Sequence, residues 1–93
     1  MHSKYFKGSI KMSNKLKQDI SIGGNLRALR NRVHLTQEEV AARLQVLGIP
    51  ISREVISQME LGHYSIRVSV LLALKDIYHA SYDDFFKGLS IKP

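Results

Sequence analysis

Four polar side chains, Arg53, Glu54, Ser57 and Gln58, stand one, four and five residues apart, with the apolar Val55, Ile56 and Met59 among them. On a helix that spacing puts the four on an exposed face and turns the apolar three inward. The exposed set makes hydrogen bonds in complementary ways. The Arg guanidinium is a forked donor, the Gln amide a paired donor and acceptor, the Glu carboxylate an acceptor and the Ser hydroxyl either. This is the chemistry of recognition. Bond-making chemistry has no comparable support. The acids Asp19, Glu38, Glu39, Glu54, Glu60, Asp76, Asp83 and Asp84 each read as a helix cap, dipole partner or ion-pair member. No nucleophile–base pair or phosphate-cradling glycine loop accompanies them, and the pair Gly23-Gly24 at a helix start is a weak signal alone. The chain has no cysteine, and His2, His34, His63 and His79 fall in no metal-ligand spacing. The sequence therefore predicts no catalytic residue, no metal and no cofactor.

The hydrophobic period supplies the scaffold for those side chains. Ile22, Leu26, Leu29 and Val33 recur at spacings of four, three and four, which predicts a first helix from Ser21 to about Val33. His34 then takes the place just past the end, usually given to Gly or Asn. Thr36-Gln37-Glu38-Glu39 is a capping box opening a second helix, whose buried stripe is Val40, Ala41, Leu44 and Leu47. Gly48-Ile49-Pro50 stops it, because Pro50 cannot continue a helix and biases Ile49 towards an extended form. Ser52 caps a third helix from Arg53 to about Leu61, closed by Gly62. A fourth runs from about Arg67 to Tyr78 on Val70, Leu71, Leu74, Ile77 and Tyr78. Ser81-Tyr82-Asp83-Asp84 caps a short fifth that presents Phe85 and Phe86. No strand-like alternation is sustained, and there is no internal repeat. The expected fold class is all-α, five short helices around one core.

The length, 93 residues, allows one compact domain. The net charge of +6 is unevenly placed. Residues 1–18 carry Lys4, Lys7, Lys11, Lys15 and Lys17 with no acid, whereas residues 19–93 carry nine basic and eight acidic side chains. Residues 1–20, which sustain no period, read as a mobile basic arm or a solvated leader; residues 21–87 form the domain and 88–93 a C-terminal tail. Met12, followed by Ser13-Asn14, is an alternative first residue, which an intact mass from the native host would settle. No apolar run approaches a membrane span, the longest candidate being Val68 to Ala73. A cytoplasmic protein is expected.

The strings Leu35-Thr36-Gln37-Glu38-Glu39-Val40-Ala41-Ala42-Arg43-Leu44 and Ile56-Ser57-Gln58-Met59-Glu60-Leu61-Gly62 together resemble the helix-turn-helix family of phage Cro and repressor proteins, the XRE-like family. The resemblance continues through Val70-Leu71-Leu72-Ala73-Leu74 and Ser81-Tyr82-Asp83-Asp84-Phe85-Phe86. It implies a lambda-repressor-like domain whose second helix spans the DNA backbone while the third enters the major groove. It further implies that Arg53, Glu54, Ser57 and Gln58 approach base edges, Arg suiting guanine, Gln adenine and Glu the cytosine amino group. Arg53 has the alternative of gripping phosphate and Glu54 of partnering the helix dipole. Gln58 has no capping role to explain it. On the backbone side the resemblance implies Thr36, Gln37 and Arg43. His63 and Tyr64 join them as backbone contacts, or form a solvated loop. It also matches Arg30 and Glu60 to a partly buried ion pair.

One departure from the family is the stretch Gln45-Val46-Leu47-Gly48-Ile49-Pro50-Ile51 between Leu44 and Ser52, longer than the usual turn. Its apolar residues are too many to leave exposed, so a second helix extended by a turn and a corner folded back on the core are expected. As a regulator the chain is expected to bind double-stranded DNA as a homodimer, with Phe86, Leu89 and Ile91 as dimer contacts. The alternative is a protein–protein interaction module on the same fold, antitoxin-like or bridging.

Overall fold

The computed structural model describes residues 15–16, 19–63 and 65–91. Five helices follow one another: α1 (Gly23–Arg32), α2 (Gln37–Val46), α3 (Arg53–Glu60), α4 (Val68–Ile77) and α5 (Tyr82–Phe86). The all-α expectation is met, element by element. The three polar caps read from the sequence are present. Thr36 accepts from the Glu39 amide at 3.0 Å while the Glu39 carboxylate accepts from the Thr36 amide at 2.8 Å. Ser81 and Asp84 close the same box at the start of α5. Ser52 accepts from the Val55 amide at 3.3 Å at the start of α3. These bonds satisfy first-turn amides that have no acceptor within their helix. They also hold the Glu39 and Asp84 carboxyls below the usual range, in each case mainly through the backbone amide of the capping residue.

Four helices end alike. After α1, α2, α3 and α4 the residue two beyond the last helical one has positive φ: His34 at 59°, Gly48 at 81°, Gly62 at 80° and His79 at 52°. In each, two backbone amides turn back onto the last carbonyls, for example His79 onto Asp76 at 3.2 Å and Ala80 onto Lys75 at 3.0 Å. This is the Schellman arrangement. The two histidines hold a left-handed conformation that a Cβ makes costly. His79→Gly is therefore expected to raise stability by about 1 kcal/mol. A thermal melt should show a rise of several degrees; a fall would mean that the imidazole makes contacts outweighing the strain.

Leu26, Leu29, Val40, Leu44, Ile56, Met59, Val70, Leu74, Tyr78 and Phe85 form one buried core. Within it α1 packs on α3 and α5, and α2 on α3 and α4. Polar ties fix the ends. Asn25 donates to the carbonyls of Phe85 and Lys87 at 2.8 and 3.0 Å. Arg32 donates to the His79 carbonyl at 3.2 Å and lies 3.7 Å from the Asp84 carboxylate.

One expectation needs correction. The corner after α2 does not bury all its apolar residues. Ile49 and Ile51 pack against the core, but Val46 is 87% and Leu47 57% exposed. The reason is the left-handed turn at Gly48. The Ile49 amide bonds back to the Leu44 carbonyl at 2.9 Å, so Ile49 returns over the place a longer helix would have given to Leu47. The expected basic arm, residues 1–20, lies mostly outside the described residues. Lys15–Leu16 (β1) pairs antiparallel with Ile66–Arg67 (β2), Lys15 opposite Arg67 and Leu16 opposite Ile66. A two-residue ladder is too short to leave a period in the sequence.

Candidate nucleic-acid interface

The α3 helix is eight residues long and strongly two-sided. Ile56 and Met59 are buried and Val55 half-buried, while Arg53, Glu54 and Gln58 are exposed and Ser57 is half-buried. Arg53 and Glu54 touch weakly, Nη2 to Oε2 at 3.4 Å, with both side chains largely in solvent. The pair is free to part for another partner, since an exposed contact of this kind holds little energy. Leu61 extends the row begun by Glu54 and Gln58 and is 51% exposed. The sequence reading assigned it no role. Its only signal was its place three residues after Gln58.

The start of α2 comes up beside the start of α3. Arg30, His34, Thr36, Gln37 and Arg53 line one open concavity between the two helix starts. Glu38 lines the same space, so it holds one carboxylate beside the Arg30 and Arg53 guanidiniums. Arg43 stands apart from this group, exposed in the last turn of α2. His63 is exposed just past Gly62, its amide bonded to the Gln58 carbonyl at 2.9 Å. Tyr64 lies outside the described residues.

Behind this surface sits Glu60, with only 1% of its side chain exposed. Arg30 meets it with both prongs, Nε to Oε2 at 2.7 Å and Nη2 to Oε1 at 3.0 Å, and Arg30 Nη1 donates to the Leu35 carbonyl at 2.9 Å. Arg27 Nε approaches Oε1 at 3.5 Å. The expected ion pair is present, and it ties α1, the α1–α2 turn and α3 together. Desolvation pushes the Glu60 carboxyl upward, but the hydrogen bonds from Arg30 and Gln37 and the charge of Arg30 outweigh it and leave it below the usual carboxylate range. Burial, and then the charge of Glu60, push the Tyr78 phenol upward.

Gln37 belongs to this network, which the sequence did not reveal. Its Nε2 donates to Glu60 Oε1 at 3.0 Å, so part of the side chain expected to face solvent is held inward. The contact spans 23 residues of sequence, and no local pattern encodes it. An Nε2 carries two hydrogens, so the second remains for an outside acceptor, and the Gln37 amide lies in the first turn of α2.

Gly23 also proves to have a specific role. A Cβ at this position would lie 2.2 Å from the Glu60 carbonyl oxygen and 2.9 Å from that of Met59. The first turn of α1 therefore rests directly on the end of α3. Among the described residues no three His, Asp or Glu side chains gather as metal ligands, and no helix is long and apolar enough to cross a membrane.

A family model described as a helix-turn-helix domain matches residues 21–85, well over half of the chain. No curated protein and no solved structure matches it.

Proposed function

The chain belongs to the helix-turn-helix domain family, and from that premise we propose that it is a sequence-specific DNA-binding transcriptional regulator of the Cro and repressor type. In this reading α3 lies in the major groove, and α2 sets its start against the phosphate backbone. One observation carries the reading: Arg53, Glu54, Ser57 and Gln58 line the outer face of α3, while Glu60 at its inner end is tied to Arg30 and to Gln37 at the start of α2. The reading helix and the backbone-gripping helix are thereby held as one rigid unit. Gln58 pairs with adenine, Arg53 with guanine or a phosphate, and Glu54 with the cytosine amino group. Ser57 takes a base or a phosphate. Thr36, the Gln37 amide and its second Nε2 hydrogen, Arg43, His63 and Tyr64 take backbone oxygens. The protein works in the cytoplasm, without a cofactor or catalytic step.

A homodimer fits a two-fold operator whose half-sites lie about 34–36 Å apart, one turn of DNA. Its support is the apolar group Phe86, Leu89 and Ile91, all exposed on the monomer. A second reading, docking of a protein partner, is favoured by the exposed Val46 and Leu47 at the α2–α3 corner and by the near-neutral charge of residues 19–93.

The role of α3 is tested by comparing the sites that wild-type and variant proteins select from a random duplex pool. Arg53→Ala and Gln58→Ala should each relax selectivity at one position per half-site, at a cost of about 1–3 kcal/mol in discrimination. Identical selected sites for both variants would refute the assignment of α3 as the reading helix.

A further inference from the structure

We propose that Arg27, exposed on α1, is a DNA-backbone ligand that seats one phosphate jointly with the Gln37 side chain, Glu60 holding both donors in place; this rests on the DNA-binding reading above. The charges of α1 single this residue out. The helix carries Arg27, Arg30 and Arg32 and no acid. Arg30 meets Glu60 with both prongs, and Arg32 lies 3.7 Å from the Asp84 carboxylate. Arg27 reaches only the carboxylate that Arg30 already neutralises, Nε to Glu60 Oε1 at 3.5 Å, and its side chain stays half-exposed. Arg27, Arg30 and Glu60 together thus carry a surplus positive charge. It lies on the solvent side of the group, where a phosphate can use it.

The same carboxylate oxygen brings Gln37 beside it. Gln37 Nε2 donates to Glu60 Oε1 at 3.0 Å, so donors from α1 and α2 converge on one acceptor. Their nitrogens can be no further apart than those two distances together. Neither side chain is used up there. Gln37 Nε2 keeps a second hydrogen, and the Arg27 Nη hydrogens have no acceptor among the described residues. Of the acids in the first turn of α2, Glu39 is turned back onto the Thr36 amide and Glu38 faces the concavity shared with Arg53. Neither is bonded to Arg27. The seat is also preset. Glu60 is buried, and Arg27 follows by one turn Gly23, which rests on the Glu60 and Met59 carbonyls. A guanidinium held in this way gives up less freedom on binding than one on an untethered stem. Its fork and the adjacent amide hydrogen suit the several oxygens of one phosphate.

The test is the salt dependence of DNA binding by the full chain, measured by fluorescence anisotropy on a duplex enriched from the random pool and on an unrelated one of equal length. For Arg27→Gln the slope of log affinity against log salt should become shallower by about 0.9 for each bound protomer. Between about 50 and 200 mM salt the wild type should then lose about three- to fourfold more affinity per protomer than the variant. The ratio between the duplexes and the melting temperature should not change, since Arg30 still pairs with Glu60. A wild-type slope and affinity in Arg27→Gln would overturn the proposal. Arg27→Lys keeps the charge without the Nε contact and should keep the wild-type slope. A slope as shallow as that of Arg27→Gln would trace the effect to the lost Glu60 contact and overturn the seat. Single methylphosphonates, which remove one backbone charge at a time, test the sharing. Arg27→Gln and Gln37→Ala should become insensitive to the same substituted phosphate in each half-site, and insensitivity to different phosphates would refute a joint seat. Equal binding to both duplexes, with the shallower slope in Arg27→Gln, would support the seat and overturn only sequence specificity. Wild-type binding to neither would overturn this inference together with the reading beneath it.

Discussion

Replacing Glu60 by Ala is expected to lower stability by about 3–5 kcal/mol and to weaken DNA binding in the same variant. The side chain is 1% exposed and that of its main partner Arg30 is 12% exposed. Removing the carboxylate leaves the guanidinium with the Leu35 carbonyl as its remaining hydrogen-bond acceptor and frees Gln37 from its inward tie. The penalty comes mainly from the charge left behind. The double variant Arg30→Met, Glu60→Leu should accordingly be less destabilised than Glu60→Ala alone, although it loses the whole pair. For a chain of this size 3 kcal/mol corresponds to a fall of at least about 12 °C in melting temperature. Acid adds an independent check. The native Glu60 carboxyl is below its ordinary range, so its contribution is complete above the unfolded value of about 4.3. That contribution is lost as the pH falls through the lowered native value. The difference in urea midpoint between wild type and Glu60→Ala should therefore narrow on acidification below about pH 4. A constant difference from neutral pH into acid, or a melting temperature equal to wild type, would contradict this account of the pair.

Gly23→Ala is expected to cost about 3 kcal/mol, the upper end for overpacking, because the obstructing atoms are backbone. The Glu60 and Met59 carbonyls at the end of α3 cannot rotate aside as a side chain would. Either α1 or the end of α3 must shift, and a shift of α3 also tilts the face that carries Gln58. DNA affinity should fall by more than the loss of folded protein explains. The neighbouring glycine is the control. A Cβ at Gly24 meets nothing within 4 Å, so Gly24→Ala should leave stability unchanged or raise it by up to about 1 kcal/mol through helix propensity. Chemical denaturation of the two variants side by side checks the pair. Equal stabilities would show that α1 does not rest on α3 as described.

The contrast between Gly23 and Gly24 shows where the sequence speaks and where it is silent. Features written within a few residues were legible: the boxes at Thr36–Glu39 and Ser81–Asp84, the cap at Ser52, the helix-end place of His34, and the inward Ile56 and Met59 against the outward Arg53, Glu54 and Gln58. Each follows from a helical period or a terminal hydrogen bond, and both are local. The Arg30–Glu60 pair spans 30 residues and was reached through family resemblance, with no local pattern to mark it. What stayed hidden depends on two distant segments meeting. The Gln37–Glu60 bond, the bare contact of Gly23 with Glu60 and the pairing of Lys15–Leu16 with Ile66–Arg67 leave no trace in neighbouring residues. At the α2–α3 corner, counting apolar residues gave the wrong burial for Val46 and Leu47. The direction of the chain there is set by one left-handed residue, Gly48, rather than by the hydrophobicity of the stretch.

The central claim is that the outer face of α3 reads DNA sequence, and selection of bound duplexes from a random pool by the full-length wild-type chain tests it most directly. The account predicts enrichment of a two-fold symmetric site with half-site centres about 10–10.5 base pairs apart, and loss of binding as salt is raised. A folded protein that enriches no sequence from the pool would contradict it.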